Sequence, residues 1–394
     1  MPDLTIRKDQ LENDGRFSRF ELISWWEQER LKRSRILIIG AGALGNELVK
    51  NCALTGIGNL FVADMDRIEN SNLTRSVLFR EANNGQFKSD VACEAAHGIY
   101  PQIKTQAFKG NIVHDLGLGV YFWADVILGG LDNREARVAI NSASMFAGKT
   151  WIDGAIEVLD GVARVFAPGD GPCYECTMND TDWKLLESRR SCALLTREQL
   201  NEGKVPTTPT TGSIIAAIQV QETIKLLHGM PTLAGKGYVY SGLSSDSYIV
   251  AYTRKPGCFA HERYTRLELL GASVADLKLG ALLSRAREAL GADAVIQLSR
   301  DLITGLTCAR CSKTEAIYRS MGKVTERDGL CPKCGEMRAP ETTSTLGLDE
   351  SMNALTFAEL GVPPYDVVTA RSGENTLSYL FDGDAKQVLG ALAN

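Results

Sequence analysis

The feature that most constrains this chain is a run near its start. The apolar segment RILIIG (35–40) passes directly into Gly40-Ala41-Gly42-Ala43-Leu44-Gly45, then NELVKNCALTGI, then NLFVAD (59–64). An uninterrupted apolar strand reads as one buried on both faces. Glycines at 40, 42 and 45 let the backbone turn tightly, approach a ligand and pack closely against the helix that follows. Strand, turn, helix and strand in that order predict a βαβ unit with a phosphate at the helix N-terminus. Asp64, 19 residues past Gly45, ends the second strand where a ribose hydroxyl would be held.

The rest of the chain continues the α/β alternation. TQAFKG and ADVILGGLD (124–132) read as strands, NREARVAINSASMFAG as a helix, and TWIDGAIEVLDGVARVFAPG as strands turning over at Asp160-Gly161. Helices are expected over 16–34, over 81–100 and over SIIAAIQVQETIKLLHG, closed by Gly229 and Pro231. YVYSGLSSDSYIVAYTR gives two further strands, and the polar stretch from Cys176 to Thr211 has no clear element. From about 262 short helices and a cysteine-rich insert are expected, and after 340 strand-like or helical pieces that dock a partner or cap the core. The fold class is α/β, a doubly wound and mainly parallel sheet, over residues 1–262, with 263–394 as an extension.

Composition removes several classes. The 394 residues carry 43 Lys and Arg against 48 Asp and Glu, a net charge of −5, which gives no support to a nucleic-acid binder. No apolar run reaches 18 residues and the first segment lacks an apolar core, so neither a membrane span nor a signal peptide is expected. A cytoplasmic location is the expectation, with the ten cysteines reduced. Cys52 and Cys93 fall in helical segments and read as small buried apolar groups.

Beyond Asp64 the sequence favours phosphate chemistry. Asp66, Asn72 and Arg75 follow within DMDRIENSNLTRS, Lys88 starts a helix 13 residues later, and Asp132 ends the fourth strand. Lys88 and Arg75 suit phosphate charge, and Asp132 suits Mg²⁺, which prefers oxygen ligands. A nicotinamide oxidoreductase needs no such cationic set, whereas attack on phosphorus is catalysed chiefly by placed positive charge.

These segments, with PCYEC (172–176) and the helix TGSIIAAIQVQETIKLL, resemble the ubiquitin-activating enzyme superfamily, including adenylyltransferases that activate sulfur carriers in thiamine and molybdopterin biosynthesis. The resemblance covers about residues 16–262, with a crossover loop at about 177–211, and implies a Rossmann-like adenylation domain. It implies ATP-dependent adenylation of the C-terminal carboxylate of a ubiquitin-like protein ending in glycine. Gly40, Gly42, Ala43, Gly45, Asp64 and Asp66 would hold the nucleotide; Asn72, Arg75 and Lys88 the phosphates; Asp132 the Mg²⁺. Arg19 matches an arginine that reaches a partner subunit's ATP, which implies a homodimer. Cys192, preceded by Arg189 and Arg190, stands where the family carries its thioester or persulfide cysteine. Capture there and transfer to a conjugating enzyme is the expectation; a sulfur-carrier adenylyltransferase and a non-catalytic partner subunit are the competing ones.

Two zinc sites are expected. Cys173 and Cys176 pair, by resemblance, with a later CxxC, here replaced by Cys258 and His261. Cys308, Cys311, Cys331 and Cys334 form two CxxC knuckles around 19 residues, a zinc-ribbon spacing at about 305–337.

Overall fold

The computed structural model describes residues 15–131, 133–184, 206–261 and 266–393. The first sheet is built from β1 (Arg35–Ile39), β2 (Asn59–Ala63), β3 (Lys104–Phe108), β4 (Val126–Gly129), β5 (Thr150–Glu157), β6 (Asp160–Phe166), β7 (Lys236–Ser241) and β8 (Asp246–Ala251). Its order is β3-β2-β1-β4-β5-β6-β7-β8. The first five of these strands run parallel and the last three pair antiparallel. The strand order reverses between β1 and β4, and that switch point is where an open α/β sheet binds ligands, at the carboxyl ends of its strands.

Helices cover both faces of this sheet. α1 (Gln28–Arg33) leads into β1; α2 (Ala43–Thr55) and α3 (Lys88–Ile99) join β1, β2 and β3; α4 (Gly119–Trp123) and α5 (Arg134–Ala147) flank β4; α6 (Tyr174–Thr177) is one turn, and α7 (Pro209–Leu227) returns to the sheet. Alternate residues of β1 explain the two layers. Ile36 and Ile38 join a core with α2, α3 and α7, and Leu37 and Ile39 join a second core with α4 and α5. All four are fully buried, as the unbroken apolar run required.

Some local expectations change. The stretch 16–34 is not one helix but a short 3₁₀ turn at Phe20–Leu22 followed by α1, with an extended Glu27 between them. Trp25 meets the His228 ring edge-on and Trp26 meets it tilted, at the end of α7, instead of continuing a helical face. Likewise 81–100 splits into a 3₁₀ turn at Glu81–Asn83 and α3. The hairpin turns at Val158-Leu159, not at Asp160-Gly161, because Glu157 pairs with Asp160 and Val158 takes a positive φ of 52°.

The expectation of short helices beyond 262 is corrected most. That region is mainly a six-stranded sheet of β9 (Leu267–Leu269), β10 (Val295–Cys308), β11 (Lys313–Ser320), β12 (Ala339–Leu346), β13 (Val367–Ser372) and β14 (Asn375–Leu380). Helix α8 (Leu279–Leu290) covers one face through Leu282, Leu283 and Ala286. Other residues of this sheet, Val367 and Leu380, enter the same core as Leu37 and Trp151 of the first. TLSYLFDG supplies β14 and AKQVLGAL the helix α10 (Ala385–Leu389), with α9 (Glu326–Gly329) earlier, while NALTFAEL is neither strand nor helix.

Candidate functional site

The turn after β1 is shaped by what a side chain at each glycine would strike. Gly40 has φ +90°, and a Cβ there would lie 2.5 Å from the Gly130 carbonyl oxygen. A Cβ on Gly45 would overlap the Gly40 carbonyl. At Gly42 there is nothing within 4 Å. Two glycines therefore serve the fold, and the third opens onto the space at the N-terminus of α2. The amides of Ala43, Leu44 and Gly45 precede the first helical bond, which the Asn46 amide makes to the Gly42 carbonyl, and carry the positive end of the helix dipole.

Side chains hold this turn in place. One Asp64 carboxylate oxygen accepts from the Ala41 amide and the other from the Asp66 amide, both at 2.7 Å. Burial pushes the Asp64 carboxyl above its usual range, against the pull of Lys88 and these two amides. Asn46, fully buried in α2, donates to the carbonyls of Ala41 and Gly42 at 2.7 and 3.1 Å. Its Oδ1 accepts from Leu78 at 2.9 Å, tying the 64–87 segment to the first turn of α2. Sequence reasoning missed Asn46; a polar residue directly after the glycine motif was its signal.

The 64–87 segment carries the expected cations. Lys88 begins α3, and its ammonium meets Asp66 at 2.8 Å. Asn72 caps its own 3₁₀ turn by accepting from the Glu69 amide at 3.0 Å. Arg75 Nη1 donates to the Ser71 carbonyl at 2.8 Å and leaves further guanidinium donors. Gly40, Gly42, Ala43, Gly45, Asp64, Asp66 and Lys88 are thus gathered at one sheet edge, with Asn72 and Arg75 on the tied segment. Asp132 and Cys192 lie outside the described residues. Arg19 is exposed and belongs elsewhere, since Phe17 in the same segment packs on Gly56 at the far end of α2. Thirteen residues of helix put that end about 20 Å from the glycine turn.

A second feature missed by sequence reasoning is a buried ion cluster behind this edge. Asp153 of β5 is fully buried and accepts from Arg137 Nε at 3.0 Å and Arg164 Nε at 2.9 Å. Its signal was a charge inside an otherwise apolar strand.

The cysteines assemble as paired. Cys173 Sγ lies 3.7 Å from both Cys176 and Cys258, and Cys176 Sγ lies 3.3 Å from His261 Nε2. In the second set Cys308 is 3.6 Å from Cys334, and Cys331 is 4.0 Å from Cys311. Each set of four ligand atoms falls within 4.8 Å. A tetrahedral zinc with bonds of about 2.3 Å separates its sulfurs by about 3.8 Å, whereas a disulfide brings them to about 2.05 Å. Both sets fit zinc and neither is a disulfide. Amides of Lys255 and Cys311 point at the sulfurs of Cys176 and Cys308, 3.4 Å away in each case, as suits thiolate ligands. Cys52 and Cys93 are buried and burial pushes each thiol up to about 12, so both are apolar packing groups.

Comparison with known proteins decides the family. The model for the ThiF family matches residues 15–260. The chain belongs to the ThiF family. It is an ATP-dependent adenylyltransferase of that family, within the ubiquitin-activating superfamily. Among its relatives, the sulfur carrier protein adenylyltransferase of Thermus thermophilus is 28% identical over 59% of this chain and 83% of its own length. The SAMP-activating enzyme E1 of Haloferax volcanii is 29% identical over 65% of this chain and 90% of its own. The NEDD8-activating enzyme E1 catalytic subunit of Schizosaccharomyces pombe reaches 41%, over 37% of this chain and 34% of its own. Among solved structures, Escherichia coli MccB with ATP superposes with a TM-score of 0.54 at 24% identity, covering 65% of this chain and 77% of MccB, which is a likeness of fold. In this ThiF protein, residues 266–393 lie beyond the matched region. Among the described residues, no helix is long and apolar enough to cross a membrane.

Proposed function

We propose that the protein adenylates the C-terminal carboxylate of a small ubiquitin-like protein ending in glycine. The carboxylate oxygen attacks the α-phosphorus of ATP, the bond to the bridging oxygen breaks, and diphosphate leaves. The observation that carries this reading is the glycine turn: open space at Gly42, helix amides beside it, and Lys88 held at the same edge by Asp66. Asp64 takes the ribose, and Asn72, Arg75 and Lys88 steady the phosphates. Magnesium, held by Asp132, would neutralise charge on the departing diphosphate. Arg19, on the segment whose Phe17 packs against Gly56 at the far end of α2, would complete the pocket of a second copy in a homodimer. The two cysteine sets hold structural zinc.

The acyl-adenylate is a mixed anhydride. The Cys192 thiolate attacks its carbonyl carbon, AMP leaves, and the thioester passes to a cysteine of a conjugating enzyme in the cytoplasm. The likeness to the Thermus thermophilus enzyme over 83% of that protein favours a second reading, sulfur-carrier activation, with the same first step.

The first step is tested by ATP–diphosphate exchange with a glycine-ending partner. Lys88→Ala and Asp132→Ala are expected to lower exchange by about a hundredfold or more; undiminished exchange in Asp132→Ala removes that residue from the reading. Cys192→Ala is expected to keep exchange and lose a thiol-sensitive conjugate on non-reducing gels. A thiocarboxylated partner, in place of that conjugate, selects sulfur transfer.

A further inference from the structure

The chain leaving β4 forms the back wall of the glycine turn. The Gly130 amide donates to the Ile39 carbonyl at 2.8 Å. A Cβ on Gly40 would strike the Gly130 carbonyl, and a Cβ on Gly130 would lie 2.9 Å from the Gly45 amide nitrogen. Gly130 is therefore wedged between the first and third glycines of the motif. Any shift of Gly130 or Leu131 displaces the amides that receive the nucleotide.

One side chain fixes this wall from behind. Arg137, in the first turn of α5 and almost fully buried, donates through Nε to Asp153 at 3.0 Å. Its Nη2 donates both to the Leu131 carbonyl and, at 3.1 Å, to the Gly154 carbonyl. The guanidinium thus joins the chain just past β4, the middle of β5 and the start of α5. Arg164 approaches the same carboxylate from β6 at 2.9 Å, so Asp153 is held on both oxygens and cannot swing away. Among the described residues Arg164 makes no hydrogen bond to the wall; its guanidinium lies over Tyr174, 5.1 Å from the ring centroid.

We propose that Arg137 is a positioning residue for nucleotide binding, acting through the Leu131 carbonyl and Gly130 on the Gly40–Gly45 turn. It rests on the proposed function only in taking ATP as the nucleotide. A rigid fork reaches these acceptors from two separate nitrogens, whereas the three donors of an ammonium radiate from one atom.

The test measures binding of a fluorescent ATP analogue together with thermal melting, using the whole chain. Arg137→Lys keeps a cation beside Asp153 and is expected to fold while binding the analogue about tenfold more weakly, as small misplacements in a site do. Arg164→Lys is expected to melt earlier and to keep affinity within about twofold. In Arg137→Ala, guanidinium ion at millimolar concentration is expected to restore binding, and methylammonium is not. Unchanged affinity in folded Arg137→Lys, equal losses in the Arg137 and Arg164 variants, or rescue by neither or both cations would overturn the proposal. Analogue binding needs no partner protein, so a failure of the carboxylate-adenylation reading appears separately, as absent exchange in the wild type.

Discussion

The three motif glycines look equivalent in the sequence, and the structure separates them. Gly45 is irreplaceable for packing, because a methyl group there overlaps the Gly40 carbonyl. Gly42 has φ −75°, outside the left-handed region, and nothing lies within 4 Å of where its side chain would start. Gly42→Val is therefore expected to melt with the wild type and to bind ATP at least about tenfold more weakly, since its side chain enters the phosphate space. Gly45→Ala is expected to lose about 1–3 kcal/mol or fail to fold. Calorimetric melting and nucleotide titration on the two variants check this; a Gly42→Val protein that binds normally would place the phosphates elsewhere. The pattern of glycines, Asp64 and Lys88 was legible because each is fixed by local backbone geometry or by a strand end. The roles of Asn46 and Arg137 were not, because their acceptors, turn carbonyls for Asn46 and the Asp153 carboxylate with two carbonyls for Arg137, are brought close only by the fold.

At the scale of elements, the parallel strands could be read directly, since burial on both faces demands an unbroken apolar run such as RILII. The extension could not. Its β10 runs for 14 residues, flanked by β12 and β13 near Ile296-Gln297 and by β11 and β12 from Leu302 onward, with irregular register near Ile303 to Gly305. Polar residues on the exposed stretches and these irregularities blur the period-two signal. The cysteine knuckles were legible by spacing alone, and they sit where the sheet has least apolar support. The core beside the ribbon consists of Ile303, Leu306 and Val324 as its buried members. So small a cluster needs a metal staple. Wild-type protein is expected to hold two zinc ions and Cys331→Ser one, with early proteolysis confined to about 305–340 and nucleotide binding retained. Metal analysis and limited digestion check it; digestion spreading into the first sheet would show that the ribbon supports the whole fold.

The two sheets are joined by a polar seam around a shared core, and this organises the whole molecule. Gly117 and Gly119 lack the room for a Cβ because the Pro364-Tyr365 backbone lies on them, and the Gly119 amide donates to the Tyr365 carbonyl at 2.8 Å. Asp366 is buried; one oxygen accepts from the Leu118 amide at 2.8 Å and the other from Arg300 at 3.0 Å. Arg300 also donates to the Val113 carbonyl at 3.1 Å, His114 Nδ1 meets Ser320 Oγ at 3.2 Å, and Lys323 pairs with Asp115. Burial pushes the Asp366 carboxyl upward, with Arg300 opposing it. Burial, and then the Arg300 charge, push His114 down. Arg300→Met leaves the carboxylate buried and unpaired, which costs about 3–5 kcal/mol at neutral pH. The sign of the pH dependence follows from both groups. Without Arg300 the Asp366 carboxyl rises further, and a raised carboxyl favours folding below its ordinary value and loses that contribution as pH climbs through the raised one. A depressed histidine favours folding above its ordinary value and loses that contribution as pH falls; removing the Arg300 charge lessens the depression, so acid harms the variant less at His114. Both effects narrow the melting gap between wild type and Arg300→Met on going from about pH 7.5 towards pH 5, a range that crosses ordinary histidine titration at about 6.5 and stays above the ordinary aspartate value of about 3.9. Melting curves across that range check it, and a gap that widens with acid would show that Asp366 is not held charged by Arg300 across the seam.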